Sequence, residues 1–270
     1  MSQQNMCFEE SVKIEPLLDT PVLVVKNEVK TLVIADLHIG IEYDLYKSGI
    51  MIPSQTQKQL TKLVGYIEKI EPERILLLGD VKHNVPIISY QERGDVPKFL
   101  GELAKLAPID IVPGNHDGNL GFLIPKGADI AIHSSRGFLM DEIGYFHGHA
   151  WPSANILSAK HVVMAHNHPA VRFTDKLGHR SILPAWIRAN FDDNVIRQHY
   201  PIVADKKIPR CLTIMPAFNE LCGGIPFNET SHEDLLGPIS TSGAIKLESA
   251  DAYLLDGTYI GKIKNLRSRK

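Results

Sequence analysis

Five times in this chain a short apolar run stops abruptly at a loop of Asp, Asn or His. TLVIA (31–35) runs into Asp36-Leu37-His38, and RILLL (74–78) into Gly79-Asp80-Val81-Lys82-His83. IDIV (109–112) leads to Gly114-Asn115-His116-Asp117, a run at 137–146 to His147-Gly148-His149, and HVVMA (161–165) to His166-Asn167-His168. Short runs that are apolar throughout read as strands covered on both faces. Open α/β sheets place their chemistry just beyond the carboxyl ends of such strands. One strand-end histidine is ordinarily a hydrogen-bonded loop residue. A set of such loops, one after each strand, is not explained that way. Asp, Asn and His offer the oxygen and imidazole donors that divalent ions take.

The intervening segments fit this construction. PVLVVK (21–26) and TLVIA predict a strand pair around an Asn27-Glu28 turn. The spacing of Leu60, Leu63, Val64, Ile67 and Ile70 predicts a helix over 54–71, with Ser54 as its cap and Pro72 as its stop. A second helix is expected over 96–106. Strand, helix, strand, helix, strand is α/β order. The second half is poorer in helices, with strands expected at 128–134, 137–146, 161–165, 211–215, 244–247 and 252–263. His166 and His168 follow a strand, whose alternation would send both side chains to one face.

Composition bounds the remaining choices. The 270 residues suffice for a sizeable core, and the formal net charge of −2 gives no global field toward nucleic acid or membrane. Cys7, Cys211 and Cys222 form no disulfide framework and no zinc spacing, so they read as reduced thiols. With a polar N-terminus and no apolar run near the ~20 residues of a membrane span, a cytoplasmic protein without membrane association is expected.

DLHIG, GDVKH, GNHD, HGH and HNH, in that order, resemble the motifs of the calcineurin-like metallophosphoesterase superfamily over residues 31 to about 170. The resemblance implies an α/β fold, a four-layer αββα sandwich. Two mixed β-sheets would lie face to face, with helices outside and a dimetal site at one edge. It implies Asp36, His38 and His168 on one ion, Asn115, His147 and His166 on the other, and Asp80 between them. Two divalent ions ~3.5–4 Å apart clamp a phosphate and lower the pKa of a bridging water. Mn(II) is the expected metal, with Fe(II) or Zn(II) as alternatives. Gly79 and Gly114 would let the backbone turn tightly beside the ions. His116 would face the phosphoryl group, protonating the leaving oxygen or stabilising charge. Asp117 either positions His116 or caps its own loop. His149 meets substrate, stands behind a ligand, or is solvated. The superfamily usually has glycine where this chain has Ala165.

Position 83 narrows the branch. Phosphoprotein phosphatases carry Asp at this offset from the bridging Asp, whereas His83 is similar to the repair nucleases, where it helps hold a nucleic-acid phosphate. Its alternative role is to support His116. DLHIGIEYDLYKSGIMIP (36–53), LPAWIR (183–188) and MPAFNELCGG (215–224) resemble the ICC-like phosphoesterases of archaea and bacteria, some of them DNA-ligase-associated. Lys82 and Arg188 are further basic candidates for substrate contact. One domain is expected across 1–270, with a core over about 21–225. Within it, 172–210 reads as a cap or substrate-binding insertion. There Arg172, Lys176, Arg180, Arg188, Arg197, Lys206, Lys207 and Arg210 alternate with Phe173, Trp186, Phe191 and Tyr200. Such interleaving suits single-stranded nucleic acid; a core role for the aromatics is the alternative. The basic tail at 262–270 is a second candidate arm.

The expected activity is a two-metal phosphodiesterase working by in-line attack of a metal-bridging hydroxide, a nuclease on single-stranded DNA or RNA in repair or processing. A DNA-repair helicase or ligase is the expected partner class. The alternatives are a small-molecule or cyclic-nucleotide phosphodiesterase and a catalytically weak binding scaffold.

Overall fold

The computed structural model describes residues 13–203, 208–209 and 211–267. Cys7 and the N-terminal stretch, Lys206, Lys207 and Arg210, and the tail beyond Arg267 lie outside the described residues.

The first sheet takes its strands in chain order: β1 (Lys13–Leu17), β2 (Val22–Lys26), β3 (Lys30–Ile34), β4 (Arg74–Leu78), β5 (Ile109–Val112) and β6 (Ile130–Ile132). β1 to β3 form an antiparallel meander, and β3 to β6 run parallel. Parallel neighbours need crossovers. Two helices, α1 (Ile41–Lys47) and α2 (Thr56–Ile70), join β3 to β4, and α3 (Tyr90–Ala104) joins β4 to β5. Burial of alternate residues on opposite faces explains why these strands carry few polar positions. Leu32, Ile34, Ile75 and Leu77 pack on Leu63, Ile67, Val96 and Phe99 of the helices. Val33, Leu76, Leu78 and Val112 face the other sheet.

The second sheet contains β7 (Phe138–Met140), β8 (Ile143–Tyr145), β9 (His161–Met164), β10 (Pro169–Thr174), β11 (Arg180–Ala189), β12 (Leu212–Ile214) and β13 (Ile225–Pro226), followed by β14 (Asp251–Leu254) and β15 (Tyr259–Lys262). Its order is β13-β10-β11-β12-β9-β8-β7, with β14 on β11 and β15 on β14. β8, β9 and β12 are parallel, so their carboxyl ends share one edge. Tyr145, Val163, Ala165, Trp186 and Met215 meet the first sheet. Val162, Met164, Ile187 and Ile214 are covered on the outside by Ile196 of α4 (Asp193–His199) and by Leu235 and Ile239. The result is the four-layer α/β sandwich of two mixed sheets.

Several elements differ from the sequence reading. α2 starts at Thr56 with Gln55 at the cap position, although the Ser54 hydroxyl still accepts the Thr56 N–H at 3.3 Å. α3 starts at Tyr90, because Ser89 and Glu92 form a capping box ahead of the apolar residues. The run at 137–146 is two strands, turning at Asp141 and Glu142 with φ of 48° and 64°. Residues 244–247 are no strand; only Ile245 bridges to Phe191. The 172–210 segment is no separate cap. It supplies β10 and β11 to the sheet, and Trp186, Phe191 and Tyr200 are buried, so their rings are core and unavailable for stacking on bases. Among the described residues no helix is long and apolar enough to cross a membrane.

Candidate metal centre

The carboxyl ends of β3, β4 and β5 meet those of β8, β9 and β12 at one edge of the sandwich. Beyond β3 the chain stays paired with the loop after β4: Asp36 N–H donates to Gly79 O at 3.2 Å, His38 N–H to Asp80 O at 2.8 Å, and Ile39 N–H to Val81 O at 3.0 Å. Asp36, His38 and Asp80 hold left-handed backbone, with φ of 56°, 43° and 49°. His166 and His168 do the same at 72° and 42°. Strand alternation therefore does not aim these two histidines, because β9 ends at Met164. Each turns separately. The His166 ring lies 4.9 Å from that of His147, and His168 Nε2 lies 3.3 Å from Asp36 Oδ1. The glycines act as expected. A Cβ on Gly79 would stand 2.0 Å from His147 Nδ1, and one on Gly114 would stand 2.1 Å from Asp80 Oδ1.

Two of the resulting donor groups share Asp80. Asp36, His38 and Asp80 form one, and Asp80, His147 and His166 the other; within each the ligand atoms lie within 4.8 Å of one another. Asp36 Oδ1, His38 Nε2 and His147 Nε2 are buried without a well-directed hydrogen bond, and meet only other members of the cluster, Asp36 Oδ1 with His168 Nε2 at 3.3 Å, and His147 Nε2 and His38 Nε2 with Asp80 Oδ2 at 3.2 and 3.6 Å. Leaving one buried polar atom unpaired costs about 1–3 kcal/mol, so orphans converging on one spot fit a cation. The opposite ring nitrogens are held: His147 Nδ1 donates to Leu78 O at 3.0 Å, and His38 Nδ1 lies 3.1 Å from His83 Nδ1. Such outer contacts set the tautomer that frees the other nitrogen for an ion.

The electrostatics agree. Burial opposes ionisation of Asp80, but His147 and His38 outweigh it and hold the carboxyl well below the usual carboxylate range. Asp36 is likewise lowered, by His168 and His147 against burial. Burial holds His38 and His166 down at about 3, as neutral imidazoles with lone pairs to give. Burial also pushes His147 down, yet Asp80 and Asp36 outweigh it and bring it to about 9. A proton there occupies the place that a cation would take between these groups.

The structure thus brings Asp36, His38, Asp80, His147, His166 and His168 together. Asn115 is exposed, in the loop between Gly114 and His116, both of which abut Asp80. His116 is at the rim: its N–H donates to Asp80 Oδ1 at 2.8 Å, its ring Nδ1 bonds the His83 carbonyl, and its ring stacks on His83 at 5.2 Å. His83 is half-buried, 3.9 Å from Asp44. His149 is half-buried beside His147, with Nδ1 buried and without a hydrogen bond. Ala165 is fully buried between the sheets.

Lys82 and Arg188 are not where their expected roles need them, and Asp117 takes the loop-capping one of its two. Lys82 is fully buried and cannot meet substrate; its ammonium donates to the carbonyls of Asn84 and His116, clamping two loops together. Asp117 does not touch the His116 ring. Its carboxylate accepts Lys82 N–H at 3.1 Å and Gly114 N–H at 2.9 Å, so it clasps its own loop. Burial, with Asp80 nearby, lifts its carboxyl to about 6. Arg188 lies on β11 opposite Thr213 and touches Cys211 Sγ at 3.3 Å, at the strand end away from the cluster.

Two contributors escape the sequence reading. Cys222 Sγ lies within 4.8 Å of ligand atoms of His38 and His168. It follows β12 in a polar loop, the same arrangement as the other donors, but a loop without Asp or His hides the pattern. Buried Glu92 accepts the N–H groups of His83 (3.0 Å) and Asn84 (2.6 Å), fixing the His83 loop. Its Ser-x-x-Glu signature was readable.

A sandwich with carboxylates and imidazoles converging where two sheets end is the framework of a metal-dependent hydrolase. The model of the calcineurin-like phosphoesterases matches residues 29–216, more than half of the chain, and the chain belongs to that family. The Pseudomonas putida nuclease MPE is similar in fold, with 18% identity, 90% of this chain and 98% of that one covered, and a TM-score of 0.51. The E. coli phosphoesterase Yfce matches at 14% identity over 86% and 97% of the two chains, with a TM-score of 0.39.

Proposed function

We propose that this protein is a two-metal phosphodiesterase whose substrate is nucleic acid, single-stranded DNA or RNA. The observation that carries the reading is the set of buried donor atoms of Asp36, His38 and His147, without well-directed hydrogen bonds, around the shared Asp80. Asp36, His38 and His168 would hold one ion and Asn115, His147 and His166 the other, with Asp80 shared between them and Mn(II) the first metal to try, Fe(II) or Zn(II) next. Two divalent ions supply a clamp for the phosphate and an acidified water. The remaining work falls to side chains. His116, its Nδ1 held by the His83 carbonyl, has Nε2 left to pass a proton at the leaving oxygen. His83, half-buried and stacked beside His116, would meet a neighbouring phosphate.

Two features favour nucleic acid. His83 stands where the resemblance put a histidine of the repair-nuclease kind, and the Pseudomonas putida protein of like fold is a nuclease. A cyclic-nucleotide phosphodiesterase is the second reading, since the cluster itself serves either ester. Comparing end-labelled single- and double-stranded DNA and RNA with cyclic nucleotides, in Mn(II) and at rising salt, separates the two. Nucleic-acid cleavage falls steeply with salt through counterion release, whereas small-nucleotide turnover does not. No hydrolysis of any phosphodiester by the metal-loaded protein would leave a binding scaffold instead.

A further inference from the structure

The loop after β12 is tied to the metal edge at both of its ends. Before the cysteine, Phe218 N–H donates to Ala35 O at 2.9 Å, Asn219 N–H to Asp36 O at 3.2 Å, and Asn219 Nδ2 to Leu37 O at 2.9 Å. After it, Ile225 N–H donates to His168 O at 3.0 Å, and Gly224 packs so close that a Cβ would stand 3.0 Å from that oxygen. Between these anchors one 3-10 turn, Glu220–Cys222, is closed by Asn219 and carries Cys222. The thiol is thereby held beside the residues that flank Asp36, His38 and His168.

We propose that Cys222 is a sulfur ligand of the ion held by Asp36, His38 and His168, an inference that rests on the two-metal reading above. Ligand atoms of His38, His168 and Cys222 lie within 4.8 Å of one another. Ions take sulfur at ~2.3 Å and imidazole at ~2.0–2.1 Å, so donors around one tetrahedral ion stand roughly 3.3–3.6 Å apart. Rotation of the side chains on binding an ion would draw the three donors in to that spacing. The second observation is independent of the sulfur: His38 Nε2 is buried without a well-directed hydrogen bond. Cys211 offers a contrast, since it sits beside Arg188 away from the cluster. On coordination the thiol gives one proton to solvent as its sulfur bonds the metal, with no change of oxidation state. A thiolate favours Zn(II) or Fe(II) over Mn(II). The two ions therefore differ in kind: the one beside Cys222 is the softer, and the one beside His147 and His166 has only nitrogen and oxygen donors.

Cobalt(II) reads this directly. Metal-free protein loaded to two cobalt ions per chain is expected to show a sulfur-to-cobalt charge-transfer band in the near ultraviolet. The band should persist when Cys7 and Cys211 are both changed to Ser. It should vanish in Cys222→Ser, which still takes up two ions. Two bound cobalt ions without the band, or a band that survives Cys222→Ser, overturns the sulfur ligand and leaves the two-metal reading standing. Failure to bind cobalt at all overturns both. Alkylation of the wild-type protein removes dependence on the variant's folding. Metal should protect Cys222 from iodoacetamide and leave Cys211 unprotected, and equal labelling of Cys222 with and without metal refutes the proposal.

Discussion

The two sheets bring unlike donors to the cluster. The first supplies both carboxylates, Asp36 and Asp80, with one imidazole, His38; the second supplies the imidazoles His147, His166 and His168 and the thiol of Cys222. Negative charge thus lies on one side of the sheet interface and most lone pairs on the other. Neither sheet makes a site alone. What sets their spacing is the apolar layer of Val33, Leu78, Tyr145, Val163, Trp186 and Met215, with cross-links such as His147 to Leu78 O. A cation at this edge would join the sheets as well as bind phosphate.

The sharpest way to break the contrast is Asp80→Ala, which removes the charge common to both donor groups. Metal content by mass spectrometry should fall below two ions per chain, and hydrolysis should drop to background. A variant that keeps both ions would show that the first sheet's charge is dispensable. His116→Ala should leave metal content unchanged while kcat falls about 10²–10⁴-fold; an unaltered rate would remove it from the chemistry. Chelation tests the joining of the sheets. Each ion held at a hundred times its Kd adds about 2.7 kcal/mol, so the melting temperature should fall on stripping and recover with metal. An unchanged melting temperature would mean that the apolar layer suffices.

The smallest effect concerns His161 at the start of β9, where Nε2 meets Thr213 Oγ1 at 2.9 Å. Burial, then Arg188, holds it down at about 3 from an ordinary 6.5. Between those values the unfolded chain binds the extra proton, so stability rises with pH, by at most about 1.4 kcal/mol per unit. Metal-free protein should lose stability as pH falls below 6.5, and His161→Gln should flatten that slope in pH-dependent melting curves. An equal slope in the variant would place the acid sensitivity in the cluster instead.

The comparison also shows where sequence was informative. Asp36, His38, Asp80, His147, His166 and His168 were legible because each ends an apolar run that has no other reason to stop at a polar residue. Lys82 was misread because a charged residue in a polar loop looks solvent-facing, and the choice between the two roles of Asp117 could not be made from the loop alone. Their acceptors and donors, His116 O and Gly114 N–H among them, come from loops adjacent only after β4 and β5 pair. β10 and β11 were hidden by half-exposed strands: the first half of β11, from Arg180 to Pro184, is open and reads as loop. Cys222 was hidden because its loop carries no Asp or His, and a lone cysteine there has no metal-ligand spacing with another.

The left-handed backbone at Asp36, His38, Asp80, His166 and His168 has a consequence for how such a chain changes over generations. Each of these residues costs the fold about 1–2 kcal/mol that glycine would not. Stability therefore favours replacing the very residues that activity retains. A copy of this sequence released from its chemistry should drift toward glycine at these positions first, each change raising the melting temperature of the metal-free protein while removing a donor for an ion.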